Sequence, residues 1–271
     1  MVVCGFARII QITCLINLSA LACATAAAQD TEGGLSGSVA VQAGLAPDYE
    51  GSDDYRLIPY IALRLQWKDR YLQTEGAGVI LNLVPSPILN AGPAVNYRPE
   101  RDDDVDSVAV AALDEVDAAV EVGGFVSLGF DGLWAVGDRL ETKAKLLFDV
   151  ADTHDGMVVE VSAAYNRPLG ADWWFGVGAF ATYADGGYHR TYFGIDAANA
   201  AQSGLPTFEA DSGLKDAGVY LASNYALYGN WGLAVTLGYT RLLGDAADSP
   251  LTAQEGDANQ YFGAVGLSYR F

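Results

Sequence analysis

"QYFGAVGLSYRF", residues 260–271, alternates apolar side chains with polar or small ones as far as the last residue of the sequence. The apolar or aromatic members of this alternation are Tyr261, Val265, Leu267, Tyr269 and Phe271. A period of two is typical of a β-strand whose two faces meet different environments. The segment therefore predicts a strand with one strongly apolar face, and the fold depends on what that face contacts.

The beginning of the sequence has the features of an export signal. Residues 9–28 carry no charge, end in small residues and place Ala26 and Ala28 in an A-x-A pattern before Gln29. This arrangement predicts a secretory signal peptide, residues 1–28, that is cleaved on export. The run is also long enough for a transmembrane anchor, but its alanine-rich end and the A-x-A pattern favour cleavage.

Composition narrows the class of protein that follows this leader. The three cysteines all lie within the first 28 residues, so residues 29–271 contain neither a disulfide nor a cysteine zinc site. The sequence has 34 acidic and 15 basic residues and a formal net charge of −19, which excludes a general nucleic-acid-binding protein. No uncharged apolar stretch of ~18 residues follows the leader, so no spanning helix is expected.

Export, 31 glycines, 15 tyrosines and repeated alternation together predict a transmembrane β-barrel, in which closure of the sheet satisfies every backbone hydrogen bond in lipid. Eleven segments of ~10 residues alternate suitably, and they begin near residues 35, 57, 71, 88, 118, 140, 157, 173, 217, 231 and 260. Bacterial single-chain barrels have an even number of strands, so a further strand is predicted at Ser107–Leu113. The predicted fold of residues 29–271 is an all-β, antiparallel up-and-down transmembrane β-barrel of about 12 strands, with about ten or fourteen as alternatives.

The tryptophans indicate which end of the barrel faces the periplasm. The five residues are Trp67, Trp134, Trp173, Trp174 and Trp231. All of them flank short connections, and such aromatic residues form girdles at membrane interfaces. Short turns are typical of the periplasmic side, so the long connections are expected outside the cell. One of these, residues 185–215, is long enough to fold over or into the mouth of the barrel.

Charged side chains at inward positions are compatible with two kinds of lumen. They lie on three consecutive predicted strands and are Glu121, Glu141, Lys143, Lys145 and Glu160. The favoured interpretation is an ion-pair network across the lumen. The alternative is the selectivity surface of a small-solute pore, which small inward residues also support. Those small residues include Gly232, Ala234, Gly238 and Gly266.

The histidines do not form a convincing catalytic site. His154 lies between Asp152 and Asp155 and would be the base of a rim hydrolase, but no nucleophile or oxyanion site accompanies it. A solvated loop is therefore the favoured interpretation of His154, and also of His189. Catalytic, cofactor-binding and metal residues are predicted as none, and the protein is expected not to be an enzyme.

An acidic run, residues 102–106, invites a comparison with calcium-binding loops. Asp102, Asp104 and Asp106 have the spacing of the first EF-hand ligands. However, Ser107 stands where that motif requires glycine, and its glutamate position is also occupied by another residue. A solvated charged turn is favoured over a loose cation site. The predicted strand order places the run in the periplasm, where it would attract a basic partner surface.

Four stretches of the sequence resemble the MipA/OmpV family of outer-membrane proteins, in which MipA stands for MltA-interacting protein. They are residues 47–60, 97–106, 188–216 and 239–271, and the last two contain the specific runs RTYFGI, SGLP and LLGDAADSP. The resemblance implies a barrel in the outer membrane without a catalytic motif. For some members it implies a scaffold that links a lytic transglycosylase to a peptidoglycan synthase, a penicillin-binding protein. An adhesin-like barrel is a further alternative.

The terminal strand acquires a second meaning in such a protein. Outward Tyr269 and Phe271 resemble the C-terminal sorting signal that the barrel-insertion machinery recognises in outer-membrane proteins. Membrane lipid and lipopolysaccharide are the other expected contacts of the barrel.

Overall fold

The computed structural model describes residues 34–271, in which twelve antiparallel strands form a closed barrel. Each strand pairs with its neighbours in sequence, and β1 pairs with β12 to close the sheet. The predicted all-β, antiparallel up-and-down barrel is therefore confirmed. The strands are β1 Leu35–Pro47, β2 Tyr55–Trp67, β3 Arg70–Glu75, β4 Gly78–Asn82, β5 Leu89–Arg98, β6 Ala119–Asp131, β7 Arg139–Asp149, β8 Met157–Leu169, β9 Trp173–Ala184, β10 Gly213–Tyr228, β11 Trp231–Leu242 and β12 Asn259–Arg270.

Short helices lie in the connections between strands. They are α1 Val108–Ala111, α2 Gly186–Phe193, α3 Ala197–Ser203, α4 Gly244–Asp248 and α5 Pro250–Ala253. Across residues 34–271, no helix is both long enough and apolar enough to cross a membrane. The predicted signal peptide, with its cleavage residues Ala26, Ala28 and Gln29, lies outside the described residues.

The predicted C-terminal strand closes the barrel. β12 pairs with β1 in antiparallel register, with Val41 opposite Leu267. At the end of this seam, Gly37 and Phe271 exchange two backbone hydrogen bonds of 2.9 and 3.0 Å. A side chain at Gly37 would bring its Cβ within 2.6 Å of the Arg64 carbonyl oxygen, so glycine allows the strands to meet here.

Alternate residues of each strand form an apolar outer wall. On β1 and β12 this wall includes Val41, Leu45, Val265 and Leu267, each more than half exposed. The neighbouring residue Ala40 points inward and is fully buried. A closed sheet that exposes a continuous apolar wall is stable in lipid, because its backbone is satisfied internally and its side chains match the hydrocarbon.

The segment predicted as an additional strand, Ser107–Leu113, forms helix α1 instead. Ser107 caps this helix by accepting a hydrogen bond from the Val110 amide. Val110 and Leu113, three residues apart, both pack into one buried hydrophobic cluster. A run this short fits both the two-residue period of a strand and the 3.6-residue period of a helix, so its alternation of small and β-branched residues does not identify a strand.

The strand missed by the sequence pattern lies beside Gly76. The alternation that begins at Tyr71 is divided between two short strands, β3 and β4, because the chain reverses direction at Gly76, where φ is 60°. Glycine adopts this conformation at little cost. The two strands give the even number expected of a bacterial barrel, and they move the β5–β6 connection to the opposite end from the predicted one.

The two ends of the barrel differ in character. The terminal end carries the start of β1, the end of β12 and the connections β2–β3, β4–β5, β6–β7, β8–β9 and β10–β11. The opposite end, the capped end, carries the helices. Trp67, Trp134, Trp173 and Trp231 lie at the terminal end and are exposed, which confirms the predicted placement of these tryptophans at one end. Trp174 differs, because it faces the lumen and is 7% exposed.

The acidic run 102–106 lies at the capped end, so its predicted location at the end with the tryptophan turns is wrong. The error follows from the missed reversal between β3 and β4. In an up-and-down barrel, one more strand before a connection moves that connection to the opposite end. Within the run, the Asp106 amide donates to the Asp48 carboxylate at 3.1 Å, and the Asp104 amide donates to Asp102 at 3.1 Å.

Helices α1–α5 and their flanking loops form a cap over the barrel mouth. Helices α2 and α3 begin after Asp185 and Asp196, whose carboxylates accept hydrogen bonds from helix amides. Tyr188 and Phe193 of α2 are fully buried, in one cluster with residues of β8 and β11. Residues 185–215, which are long enough to fold either over or into the mouth, thus fold over it.

Candidate functional site

Large side chains fill the middle of the lumen. Tyr60, Phe180, Tyr220 and Phe262 are buried there in one cluster. The rings of Tyr60 and Phe262 meet edge to face, with centroids 5.2 Å apart. Gly178 makes room for Tyr220, since a Cβ at this glycine would lie 2.3 Å from the tyrosine ring. The barrel therefore has a packed core at this level.

The small inward residues considered as a pore lining accommodate their neighbours instead. These residues are Gly232, Ala234, Gly238 and Gly266. Ala234 belongs to the packed aromatic cluster, and Gly238 lies opposite Phe262 in the strand register. A Cβ on Gly266 would lie 2.0 Å from the Val41 carbonyl oxygen. Small size at these positions is thus required by close packing.

The predicted lumenal network of charges is present, with an additional residue at its centre. Glu75 of β3 forms ion pairs with Lys143 and, at 3.5 Å, with Lys145. Lys145 also lies 3.6 Å from Glu160, and Lys143 lies 3.7 Å from Glu141. We call these five residues the lumenal ladder. Sequence reasoning missed Glu75, although it occupies an inward position in the alternation Tyr71, Gln73, Glu75.

Glu121, the remaining predicted member of that network, belongs to a separate cluster nearer the capped end. Its carboxylate accepts hydrogen bonds from Arg98 Nε at 2.8 Å and Asn96 Nδ2 at 2.7 Å. A third contact, of 3.2 Å, comes from His154 Nε2. Glu121 therefore joins β5, β6 and the β7–β8 connection.

His154 is buried, so its predicted location in a solvated loop is wrong. Its Nδ1 accepts a hydrogen bond from the Gly156 amide at 3.1 Å, which leaves the proton on Nε2 for donation to Glu121. The ring packs against Tyr188 and Tyr192, with centroids 5.2 and 5.7 Å away. Nε2 thus ties the β7–β8 connection to β6, whereas the Nδ1 contact lies within that connection.

His189 is also buried, again contrary to the prediction of a solvated loop. Its Nδ1 donates a hydrogen bond of 3.1 Å to the Asp185 carbonyl oxygen one turn earlier in α2. Its ring lies 6.0 Å from that of Phe193. The residue is thus part of the buried face of α2.

A buried cluster of charged and phenolic groups fastens α2 to the barrel. Glu50 accepts a hydrogen bond of 2.6 Å from the Tyr188 hydroxyl and pairs with Lys215. Lys215 also pairs with Asp216, and the Arg98 guanidinium lies 4.6 Å from the Tyr188 ring. Burial raises the pKa of the Glu50 carboxyl, but the charges of Lys215 and Arg98 outweigh this and hold it below its usual value. We call Glu50, Tyr188 and Lys215 the cap latch.

At the terminal end, the β6–β7 connection is fixed by one carboxylate. Asp138 accepts hydrogen bonds from the amides of Leu133, Trp134 and Ala135 at 2.9, 3.0 and 2.9 Å, and from the Tyr165 hydroxyl at 3.0 Å. Residues of this loop nevertheless expose large apolar side chains: Leu133 is 47% exposed, Trp134 70% and Val136 98%. We call residues 132–138 the Trp134 loop. Its fixed shape and apolar surface make it a candidate for contact with a partner or with the membrane interface.

Other aromatic residues continue around the terminal end. Trp231 meets Tyr269 edge to face at 4.9 Å, and Tyr269 lies stacked on Phe271 at 6.5 Å. Trp173 donates a hydrogen bond of 2.7 Å to Ser223. Tyr269 and Phe271 thus lie on the outer wall beside the closing seam, and their role as a sorting signal stays a prediction.

The residues considered as metal ligands do not assemble into a site. Within residues 34–271, no group of three or more histidine, cysteine, aspartate or glutamate side chains is placed to hold a metal ion. Asp102 of the acidic run and Asp48 of the β1–β2 connection accept backbone hydrogen bonds from Asp104 and Asp106 of the run.

A model of the family described as "MltA-interacting protein MipA" matches residues 39–271. No curated protein matches the sequence. Among solved structures, the COG4313 outer membrane channel from Pseudomonas putida F1 is 14% identical, with 88% of this chain and 96% of that chain covered and a TM-score of 0.45. OmpT, an outer membrane protein of Vibrio cholerae, is 9% identical, with 88% and 97% covered and a TM-score of 0.41. The translocator domain of the autotransporter NalP from Neisseria meningitidis is 10% identical, with 88% and 89% covered and a TM-score of 0.41.

Proposed function

The chain belongs to the MltA-interacting protein MipA family, and on that premise we propose that this outer-membrane barrel is a scaffold for enzymes of the cell wall. Its terminal end faces the periplasm and binds a lytic transglycosylase and a peptidoglycan synthase of the penicillin-binding class. The barrel itself is the anchor that holds these partners at the membrane.

The observation that carries this proposal is the filled lumen. The aromatic cluster around Tyr220, the lumenal ladder and the cap occupy the interior that a transport pathway would need. A barrel built in this way is suited to act through its exposed ends. The family description, which names an interaction, agrees with such a role.

The terminal end supplies a surface for that interaction. The Trp134 loop holds Val136 in an almost fully exposed position, and Tyr228, the last residue of β10, is 86% exposed. Since Asp138 fixes the loop before any partner arrives, little conformational entropy is lost on binding.

In-cell photo-cross-linking tests the scaffold. A cross-linking amino acid is placed at Asp69, Val136 or Tyr228 on the terminal end, and at Val108 of α1 as the matched exposed control on the capped end. We expect mass spectrometry to recover a lytic transglycosylase or a peptidoglycan synthase from the first three positions and not from Val108. Recovery of insertion-machinery and lipoprotein background alone from all positions would contradict the scaffold.

A small-solute pore and an adhesin-like barrel are the competing functions. Conductance in planar bilayers distinguishes the pore, and binding of whole cells to host surfaces through the cap distinguishes the adhesin. The packed lumen favours the scaffold over the pore, because polar groups there face side chains of the barrel.

Export and assembly complete the proposal. Residues 1–28 are removed as a signal peptide, so the mature protein begins at Gln29, which N-terminal sequencing of the membrane-inserted protein tests. Tyr269 and Phe271 serve as the sorting signal for the barrel-insertion machinery. Replacing Phe271 by Ala should slow insertion in cells, whereas Phe148→Ala, an exposed aromatic of β7, should not.

A further inference from the structure

Arg101 is a half-buried basic residue of the capped end, and it differs from the buried residues Arg98 and Lys215. Arg98 is paired with Glu121, and Lys215 is paired with Glu50. In the part of the chain that the structure describes, Arg101 forms no ion pair, and its guanidinium donates one hydrogen bond, of 3.1 Å, to the Tyr192 carbonyl oxygen. A guanidinium has five N–H donors, so most of its capacity is unused.

Partial burial of the Arg101 guanidinium costs desolvation free energy. Burial lowers the pKa of this guanidinium to about 10, and only the phenols of Tyr49 and Tyr192 act in the opposite direction. A partly desolvated cation without an anionic partner stabilises an anion that reaches it, because part of the water that would otherwise screen the charge is already excluded.

Arg101 lines a cleft of about 730 Å³ in the cap. The cleft lies between the β5–β6 connection and helices α2 and α3. Its inner wall is apolar and includes Leu113, Val116 and Ile195, all buried. Its volume matches that of ordinary small-molecule sites. The rest of the lining is mostly polar or charged.

Unpaired carboxylates line the same cleft. Two of its acidic residues, Asp114 and Asp196, accept hydrogen bonds from the Asn199 side chain at 3.1 and 3.2 Å. The other two, Glu115 and Glu209, are exposed and form no hydrogen bond or ion pair with residues 34–271. The exposed Arg190 lines the cleft as well. The cleft therefore combines two arginines, half-buried Arg101 and exposed Arg190, with two exposed carboxylates, and none of these four groups forms an ion pair within residues 34–271.

We propose that this cleft binds a small zwitterion of the amino-acid or short-peptide class, with its carboxylate on Arg101 and its ammonium group against Glu115 and Glu209. A planar carboxylate matches the forked donors of a guanidinium. A phosphate dianion fits less well, because the acidic rim and the net charge of −19 repel it. The site lies at the opposite end from the proposed partner surface and does not depend on it.

Calorimetric titration of the full-length, folded protein in detergent tests the site with alanine, dialanine and trialanine as probes. The N-acetyl derivative of each probe lacks the ammonium group, and the amide of each probe lacks the carboxylate. We expect saturable binding of at least one zwitterion, and binding about tenfold weaker or lost for its two blocked forms. The Arg101→Gln variant should lose the same factor, whereas Arg241→Gln, which removes an exposed arginine of β11, should bind normally.

Two results would overturn the proposal. One is the absence of saturable binding for all three zwitterions to wild-type protein whose folding is verified by its gel mobility. The other is equal affinity for the free and blocked peptides, which would indicate apolar contact alone. If Arg101→Gln does not fold, the exposed Glu209→Gln replaces it, and this variant must weaken dialanine while leaving N-acetyl-dialanine unchanged.

Discussion

Glu75 neutralises two lysines inside the lumen, and its loss would leave both charges buried without their shared partner. Breaking a buried ion pair from one side costs about 3–5 kcal/mol. We therefore expect Glu75→Gln to lower the free energy of unfolding by several kcal/mol, measured by urea titration of the protein in lipid vesicles. Asp53→Asn, which removes an exposed carboxylate, is the matched control and should change it little. A change as small as that of the control would show that the ladder does not stabilise the barrel.

Asp138 gives the Trp134 loop a dependence on pH. Desolvation raises the pKa of this carboxyl. The hydrogen bonds from the Trp134 amide, the Tyr165 hydroxyl and the amides of Ala135 and Leu133 lower it by more, so the folded pKa lies below the usual value. The unfolded state then binds more protons as the solution is acidified, and the stabilisation present at neutral pH is lost as the pH falls through the folded pKa.

The measurement compares urea midpoints of the wild type and Asp138→Asn across the acid range. Their difference should be largest near neutral pH and should vanish once Asp138 is protonated. A difference that stays constant from neutral to strongly acidic pH would contradict this role for the carboxylate. Asp172→Asn, in the neighbouring turn of the same end, is the control.

The alternation in the sequence is sufficient to predict which charged side chains point into the lumen, but it does not predict their ion-pair partners. It correctly turned Lys143, Lys145 and Glu160 inward, because side-chain direction follows from a period of two. It did not reveal that Glu75 lies between the lysines, since that contact depends on strands far apart in sequence. His154 was misplaced for the same reason: its partner Glu121 is 33 positions away, and nothing local marks the loop as buried.

At the scale of elements, the least predictable parts are those where a strand pattern is interrupted. β3 and β4 are short and meet at Gly76, so one alternating run concealed two strands. The α1 segment alternates like a strand, but Val110 in the helix and Leu113 just after it lie three residues apart and pack into the same cluster. Long strands such as β12 were predicted well, since their pattern extends over enough residues to exclude a helix.

The cap latch determines how tightly α2 is held. Tyr188→Phe keeps the buried ring but removes the hydroxyl that donates to Glu50. A hydrogen bond to a charged group contributes about 1.5–3 kcal/mol, so exchange of the α2 amides should accelerate roughly tenfold or more. Hydrogen–deuterium exchange with mass spectrometry of residues 186–193 measures this. Tyr183→Phe, on the outward face of β9, is the matched control and should leave the exchange of the α2 amides unchanged. Equal exchange rates in the two variants would argue against the latch.

At the scale of the whole molecule, the sequence predicted a barrel in lipid because several independent features agreed on it. Apolar alternation, a tryptophan-bearing end and long connections at the other end are properties of many residues, so single errors such as Ser107–Leu113 did not alter the conclusion. The cap site around Arg101 could not be predicted in this way. It forms only when the β5–β6 connection and α2–α3 meet across the mouth.

Conductance measurements distinguish a barrel whose lumen is filled by side chains from a pore that is closed only by its cap. Tyr60, Tyr220 and Phe262 fill the middle of the lumen, below the cap and independently of it. We expect no steady single-channel current from the wild type in planar bilayers, and none from a variant in which a short glycine–serine hairpin replaces residues 186–212. The triple variant Tyr60→Ala, Tyr220→Ala, Phe262→Ala should conduct, because truncating three large side chains opens a continuous water path beside the lumenal ladder.

Tyr261→Ala, which truncates an outward ring of β12, is the control and should remain silent. Step currents from the wild type would contradict the closed lumen, and currents from the hairpin variant alone would show that the cap, not the aromatic cluster, is the barrier.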